Sequence, residues 1–169
     1  MVKSVDELIE KINVEKDREK LFRWYQNGHS RKLPAIMIAA LRQAIRLRAQ
    51  GFIPEDDFEN AVFHALAGYE VALGIRNDER TAATRTRQLL DRVKPLEALK
   101  FLINSSEEKF GLKILSDMHL AEFTFESVVV TYDEKFEPEE VLEAQRRIDE
   151  IIANRPKDFI YPKIRRNIF

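Results

Sequence analysis

The sequence predicts an all-α protein: a single compact domain of about seven to nine helices around a central antiparallel helical hairpin, with an irregular C-terminal arm. Three observations carry this expectation. Glycine and proline are scarce, five and six in 169 residues, whereas the strong helix formers Ala, Leu, Glu, Arg and Lys are common. Apolar residues recur at helical spacing in segment after segment. Only Phe123–Tyr132 is rich in strand formers, and a lone strand has no neighbour to satisfy its backbone. Hydrophobic residues make up 44% of the chain, enough for a core, which excludes disorder throughout. The helical domain is expected over residues 1–153 and the arm over 154–169.

Each element has its own local reason. Ser4, with Glu7 three residues later, reads as a capping box opening a helix over Val5–Ile12. Asn13 is the expected cap of a second helix. Its apolar positions Val14, Leu21, Phe22, Trp24 and Tyr25 end at Asn27-Gly28, a helix stop, and Ser30 to Lys32 then read as a basic connector. Pro34–Gln50 is the clearest helix. Proline suits its first turn, and Ile36, Met37, Ala40, Leu41, Ala44, Ile45 and Leu47 form an apolar stripe with Arg42, Arg46 and Arg48 off it. A second long helix is expected from Pro54, where Glu55, Asp56 and Asp57 complement the helix dipole. Phe58, Ala61, Val62, Ala65, Leu66, Tyr69, Ala72 and Leu73 form its buried face. With Gly51 between them, these two helices make the central hairpin.

The second half continues in the same way. A helix is expected over Asn77–Val93, capped by Asn77 or Asp78, and another over Leu96–Ile103 after Pro95. Ser105 or Ser106 is expected to cap a helix reaching Met118, with Glu107 and Glu108 at its N-terminus. Phe123–Tyr132 is assigned to helix by elimination, since Phe125, Val128, Val129 and Tyr132 also fit a helical face. The last helix runs from Pro138 to about Ala153, with Val141, Leu142, Ile148, Ile151 and Ile152 inward. Pro156 and Pro162 make the remainder irregular, and its apolar residues, from Phe159 to Phe169, are expected to dock on this chain or on a neighbouring subunit.

Composition excludes several function classes. The chain has no cysteine, so disulfides, thiol catalysis and cysteine-ligated metals are out. The glycines at 28, 51, 68, 74 and 111 are too dispersed for a phosphate-cradling loop. No apolar run approaches the length of a membrane span, so no membrane partner is expected. The N-terminus MVKSVDELIEKI lacks a signal-peptide core, and an intracellular, cytoplasmic protein is expected. The net charge of −1 supplies no global attraction to phosphate, but the charge is segregated. Residues 28–100 and 154–169 are net basic, and residues 101–153 carry 13 acids against five bases.

That segregation directs attention to NDERTAATRTRQLLDRV. On one continuous helix Arg80 and Arg87 share a face with Thr84 between them, and Arg85 and Arg92 share the next with Gln88. Arginine offers a fork to phosphate or guanine, and glutamine can pair an adenine edge. The turn at Gly74–Asn77 would complete a helix-turn-helix. Arg31, Lys32, Arg165 and Arg166 are the expected auxiliary phosphate contacts. The resulting expectation is a non-enzymatic DNA- or RNA-binding accessory or regulatory protein. It requires the central arginines and the basic tail to converge on one exposed face. The alternative is a protein-interaction or homo-oligomeric scaffold that engages its partner through the C-terminal arm or the acidic late helices.

Enzyme chemistry has weaker support. Arg23 and His29, in RWYQNGH, are spaced similarly to the active-site pair of HEPN ribonucleases, an all-helical family. The resemblance implies a metal-independent ribonuclease as a distant third reading. It covers two residues, and Trp24 stands where that family carries a polar residue after the arginine. His29, His64 and His119 form no metal-ligand spacing. His119 with Glu122 and Glu126 could share a helical side, but a lone histidine in such a segment is more often structural. No nucleophile motif is present, and neither catalytic residues, metal nor cofactor is expected.

Overall fold

A computed structural model describes residues 4–105, 109–160 and 162–169, with the side chain of Lys109 outside that description. Among the described residues there are nine α-helices and no strand. They are α1 (Val5–Asn13), α2 (Arg18–Arg31), α3 (Pro34–Ala49), α4 (Asp57–Asn77), α5 (Thr84–Arg92), α6 (Pro95–Asn104), α7 (Lys109–Asp117), α8 (Phe125–Thr131) and α9 (Pro138–Ala153). Short 3₁₀ turns at Ala121–Phe123, Asp133–Lys135 and Arg166–Ile168 complete the path.

Local capping explains most of the boundaries. Ser4 accepts from the Glu7 N–H at 3.2 Å and opens α1. Asp17, rather than Asn13, caps α2 by accepting from the N–H groups of Glu19 and Lys20, and Asn13 is instead the last residue of α1. Nor does α2 stop at Asn27-Gly28. It continues to Arg31 and ends on Lys32 in the left-handed region, so the expected basic connector is helix and cap. Gly28 serves packing instead: a Cβ there would lie 2.9 Å from Met37 Cγ on α3. Asp56 caps α4, which therefore begins at Asp57 and leaves Pro54 and Glu55 in the preceding loop.

The largest departure is the expected helix over Asn77–Val93. α4 runs through Asn77, Asp78 closes it in the left-handed region with φ 56°, and helix resumes only at Thr84. Gly74–Asn77 is thus the end of a helix, and no helix-turn-helix forms there. Phe123–Tyr132 is helical, as elimination predicted: a 3₁₀ turn, then α8 capped by Thr124. Pro138–Ala153 forms α9 as expected, with Glu137 and Glu140 completing a capping box. Two of its expected inward residues, Leu142 and Ile152, are exposed, while Arg147 is buried. The expected caps and charges at Ser106, Glu107 and Glu108 lie outside the described residues, and Ser105 ends α6 as its C-cap.

α4 is the axis of the molecule. Ala67, Val71 and Ala72 on one side pack with α1, α2, α3, α7 and the tail. Phe58, Val62, Ala65, Leu66 and Leu73 on the other side pack with α6, α8 and α9. A helix buried between two clusters needs small residues where neighbours come close. At Gly68 a Cβ would lie 2.6 Å from the carbonyl oxygen of Phe123. α3 packs on α4 as the central pair, but with an offset. Arg48, near the end of α3, meets Glu70, beyond the middle of α4. The connecting loop doubles back along α4, with the ring of Phe52 stacked on Phe63 at 4.8 Å.

The tail docks on its own chain. Ile164, Ile168 and Phe169 are buried in the first cluster. The Tyr25 hydroxyl donates to the Pro162 carbonyl at 2.6 Å. Among the described residues no helix is long and apolar enough to cross a membrane.

Candidate functional site

The C-terminal half of α4 organises the charged residues of the basic segment. Glu70 is 1% exposed. Its Oε1 accepts from Arg87 Nε at 2.5 Å and from the Ala83 N–H at 2.9 Å, and its Oε2 accepts from Arg87 Nη2 at 2.8 Å and Arg48 Nη1 at 3.5 Å. Arg48 also donates to the Ile168 carbonyl at 2.9 Å. Burial opposes ionisation of Glu70, but the bonds from Arg87 and Ala83 and the charge of Arg48 outweigh it and hold the carboxyl below its ordinary range. Burial lowers the pKa of Arg48; Glu70 counters this, and the like charges of Arg80 and Arg18 add to it. A buried carboxylate with this many donors is a structural tie. It joins α3, α4, α5 and the tail. Arg87 bonds Glu70 through two nitrogens while its side chain stays 41% exposed. Arg48, off the apolar stripe of α3, is nevertheless buried.

The other arginines divide between two clefts. The first, of about 740 Å³, is lined by Arg76, Arg85, Gln88 and Arg92 over an apolar floor that includes Tyr69, Leu89, Phe101 and Phe110. Arg85 and Arg92 do share a face of α5 with Gln88. Arg76 arrives from α4, its guanidinium 4.1 Å from the centre of the Phe110 ring. Phe101, on α6, is 65% exposed. Among the described residues no acid lines this cleft, and neither Arg85 nor Arg92 has an ion-pair partner.

The second cleft, of about 680 Å³, takes Arg80, Arg165 and Arg166, together with Arg18. Arg80 stands in the loop before α5, so it shares no helix face with Arg87. The two clefts lie on different sides of α4. Tyr69 and Arg76, two turns apart, face the first. Gly74, about 140° round the helix from Tyr69, faces Ile168 of the tail. Arg80 therefore joins the basic tail, whereas Arg85 and Arg92 face another side. Thr84 starts α5 and lines neither cleft; Arg31 and Lys32 close α2 and also line neither.

Sequence reasoning missed the aromatic half of the first cleft and Arg18 of the second. An exposed phenylalanine on a helix leaves no local signal that separates it from a core one. Arg18 sits beside acids in the sequence and is aimed at the tail only by the fold.

The remaining candidates are dispersed. Arg23 and His29 are six residues apart on α2, about 120° round the helix from one another. Arg23 lines a cleft with Trp24 and Lys11, and His29 lines another with Tyr25 and Lys163. The geometry does not unite them as a catalytic pair. His119 lies against the Phe159 ring at 5.6 Å, and burial and the charge of Arg155 lower its pKa. Glu122 pairs with Arg42 at 2.8 Å, and Glu126 is buried 3.7 Å from Arg147. His64 bonds the Asn60 carbonyl at 2.8 Å. Among the described residues no three His, Asp or Glu side chains group to hold a metal. No family model, curated protein or solved structure matches this chain.

Proposed function

We propose that the protein binds single-stranded nucleic acid through the cleft between α5 and α6. The observation that carries this reading is the disposition of Arg76, Arg85, Arg92 and Gln88 around the exposed ring of Phe101. Three guanidiniums free of acidic partners among the described residues favour a phosphate backbone. An exposed aromatic ring beside them gives an unpaired base a stacking surface. Inside a duplex the base faces are already occupied, so the ring is useful only to a single strand. The role in this reading is that of a binding or accessory protein, since the described residues lining the cleft include no carboxylate and no histidine.

The test is fluorescence anisotropy with labelled single-stranded RNA, single-stranded DNA and duplex DNA. About three phosphate contacts give a salt slope near −2 for a single strand, or roughly a twentyfold loss of affinity between 50 and 200 mM salt. Arg85→Gln/Arg92→Gln is expected to lower the slope by about one to two. Phe101→Ala is expected to weaken single-strand binding about fivefold or more with little change in slope. Absence of binding to every probe at low salt refutes the reading.

A further inference from the structure

We infer that the second cleft, between the start of α2 and the docked tail, is a separate binding site for a phosphate monoester carried on an apolar or aromatic group. Arg18, Arg80, Arg165 and Arg166 line this cleft, and the acids at its edge are Glu19 and Asp78. Arg165 pairs with Asp78 at 2.6 Å, and Arg166 pairs with Glu19. Both acids are half exposed, so these pairs contribute little and are readily exchanged for a ligand. Arg18 and Arg80 have no acidic partner within ion-pair distance among the described residues. Against these two side-chain carboxylates the site holds two guanidiniums in excess. Their positive field reaches Arg48, whose charge it disfavours. A phosphate monoester brings close to two negative charges and three acceptor oxygens at neutral pH, which matches the excess in charge and offers acceptors to the guanidinium forks.

The floor decides what the phosphate is attached to. Phe22 and Phe169 lie with ring centres 5.6 Å apart beside Ile164. Ile164 and Phe169 are themselves packed into the first cluster, so the apolar surface left to water is the half-buried ring of Phe22, which an inorganic anion would leave wet and an apolar body would cover. The wall is already ordered. Tyr25 holds Pro162, and Arg48 holds Ile168, so binding requires no prior ordering of the tail. The site is independent of the first cleft, which lies on another side of α4.

The test titrates the full chain with phenyl phosphate, inorganic phosphate and benzenesulfonate by isothermal calorimetry, with melting temperature as a second readout. Phenyl phosphate is expected to bind about tenfold tighter than either of the others, because only it satisfies both the two-charge excess and the apolar floor. Arg18→Gln/Arg80→Gln is expected to weaken it about tenfold or more while leaving single-strand binding at the first cleft unchanged. Asp78→Asn keeps the left-handed cap that asparagine tolerates, removes a competing acid, and is expected to tighten phenyl phosphate severalfold. Equal binding of the three anions overturns the inference, as does indifference of phenyl phosphate binding to both sets of substitutions.

Discussion

Replacing Glu70 by glutamine isolates the tie between the basic segment and the rest of the fold. The side chain keeps its volume and loses its charge. Arg48 then stays buried, with a side chain 6% exposed, and retains only the Ile168 carbonyl as a strong acceptor. Removing one partner of a buried pair in this way costs about 3–5 kcal/mol. Arg87 adds little to that figure, because its side chain is 41% exposed and can turn to water. The loss is a large share of the stability of an ordinary domain. With an m-value near 2 kcal/mol/M it moves the urea midpoint down by about 2 M. Arg87→Gln is the internal control. Glu70 keeps Arg48 and the Ala83 N–H in that variant, so about 1–2 kcal/mol is expected. The pH dependence has a definite sign. The folded-state pKa of Glu70 lies below its unfolded value, so its ionised form stabilises the fold above about pH 4.5 and that contribution is lost as pH falls through the folded pKa. The unfolding curves of wild type and Glu70→Gln should therefore approach one another in acid. A cost below about 1 kcal/mol at pH 7, or equal costs for the Glu70 and Arg87 variants, would refute the reasoning.

Two further substitutions test other parts of the fold. Glu126 is the opposite case from Glu70: burial raises its pKa, and Arg147 at 3.7 Å offsets this only in part. Its charge weakens the fold as pH rises from the unfolded carboxylate range through the raised folded value, so Glu126→Gln should match or exceed wild-type stability at pH 8 and lose that advantage in acid. Arg147 keeps Glu143 at 2.9 Å in that variant, and a loss above about 1 kcal/mol at pH 8 would count against this account. Gly68→Ala places a methyl 2.6 Å from a backbone oxygen and 2.7 Å from Phe123 Cβ. It should cost about 1–3 kcal/mol in thermal or urea unfolding, and an unchanged midpoint would show that α4 and the Phe123 turn are farther apart than described.

The elements that sequence reasoning placed best are those with local instructions. Pro138 with its acidic first turn begins α9, and Pro34 with an uninterrupted apolar stripe begins α3. Two of the misplaced boundaries involve a residue able to play two local parts. Asn13 and Asp17 are both competent caps, and Asp17 is the one whose carboxylate accepts from the Glu19 and Lys20 N–H groups. Asp78 can open a helix as readily as close one. The Glu79 N–H bonds the Gly74 carbonyl at 3.2 Å, so Asp78 closes α4, and the chain needs residues 79–83 to bring Ala83 onto Glu70.

Helix content, the prolines that start helices and the segregation of basic from acidic stretches follow from neighbours within a few positions, because helical hydrogen bonds and caps reach no farther than one turn. The fate of each arginine does not. Arg87 was claimed by a carboxylate of α4, Arg80 was grouped with the tail, and Arg85 and Arg92 were set opposite Phe101 of the following helix. Each depends on which surfaces α4 buries and which it leaves open. A guanidinium's role is decided by the charge and water around its tip, and only the packed helices determine those.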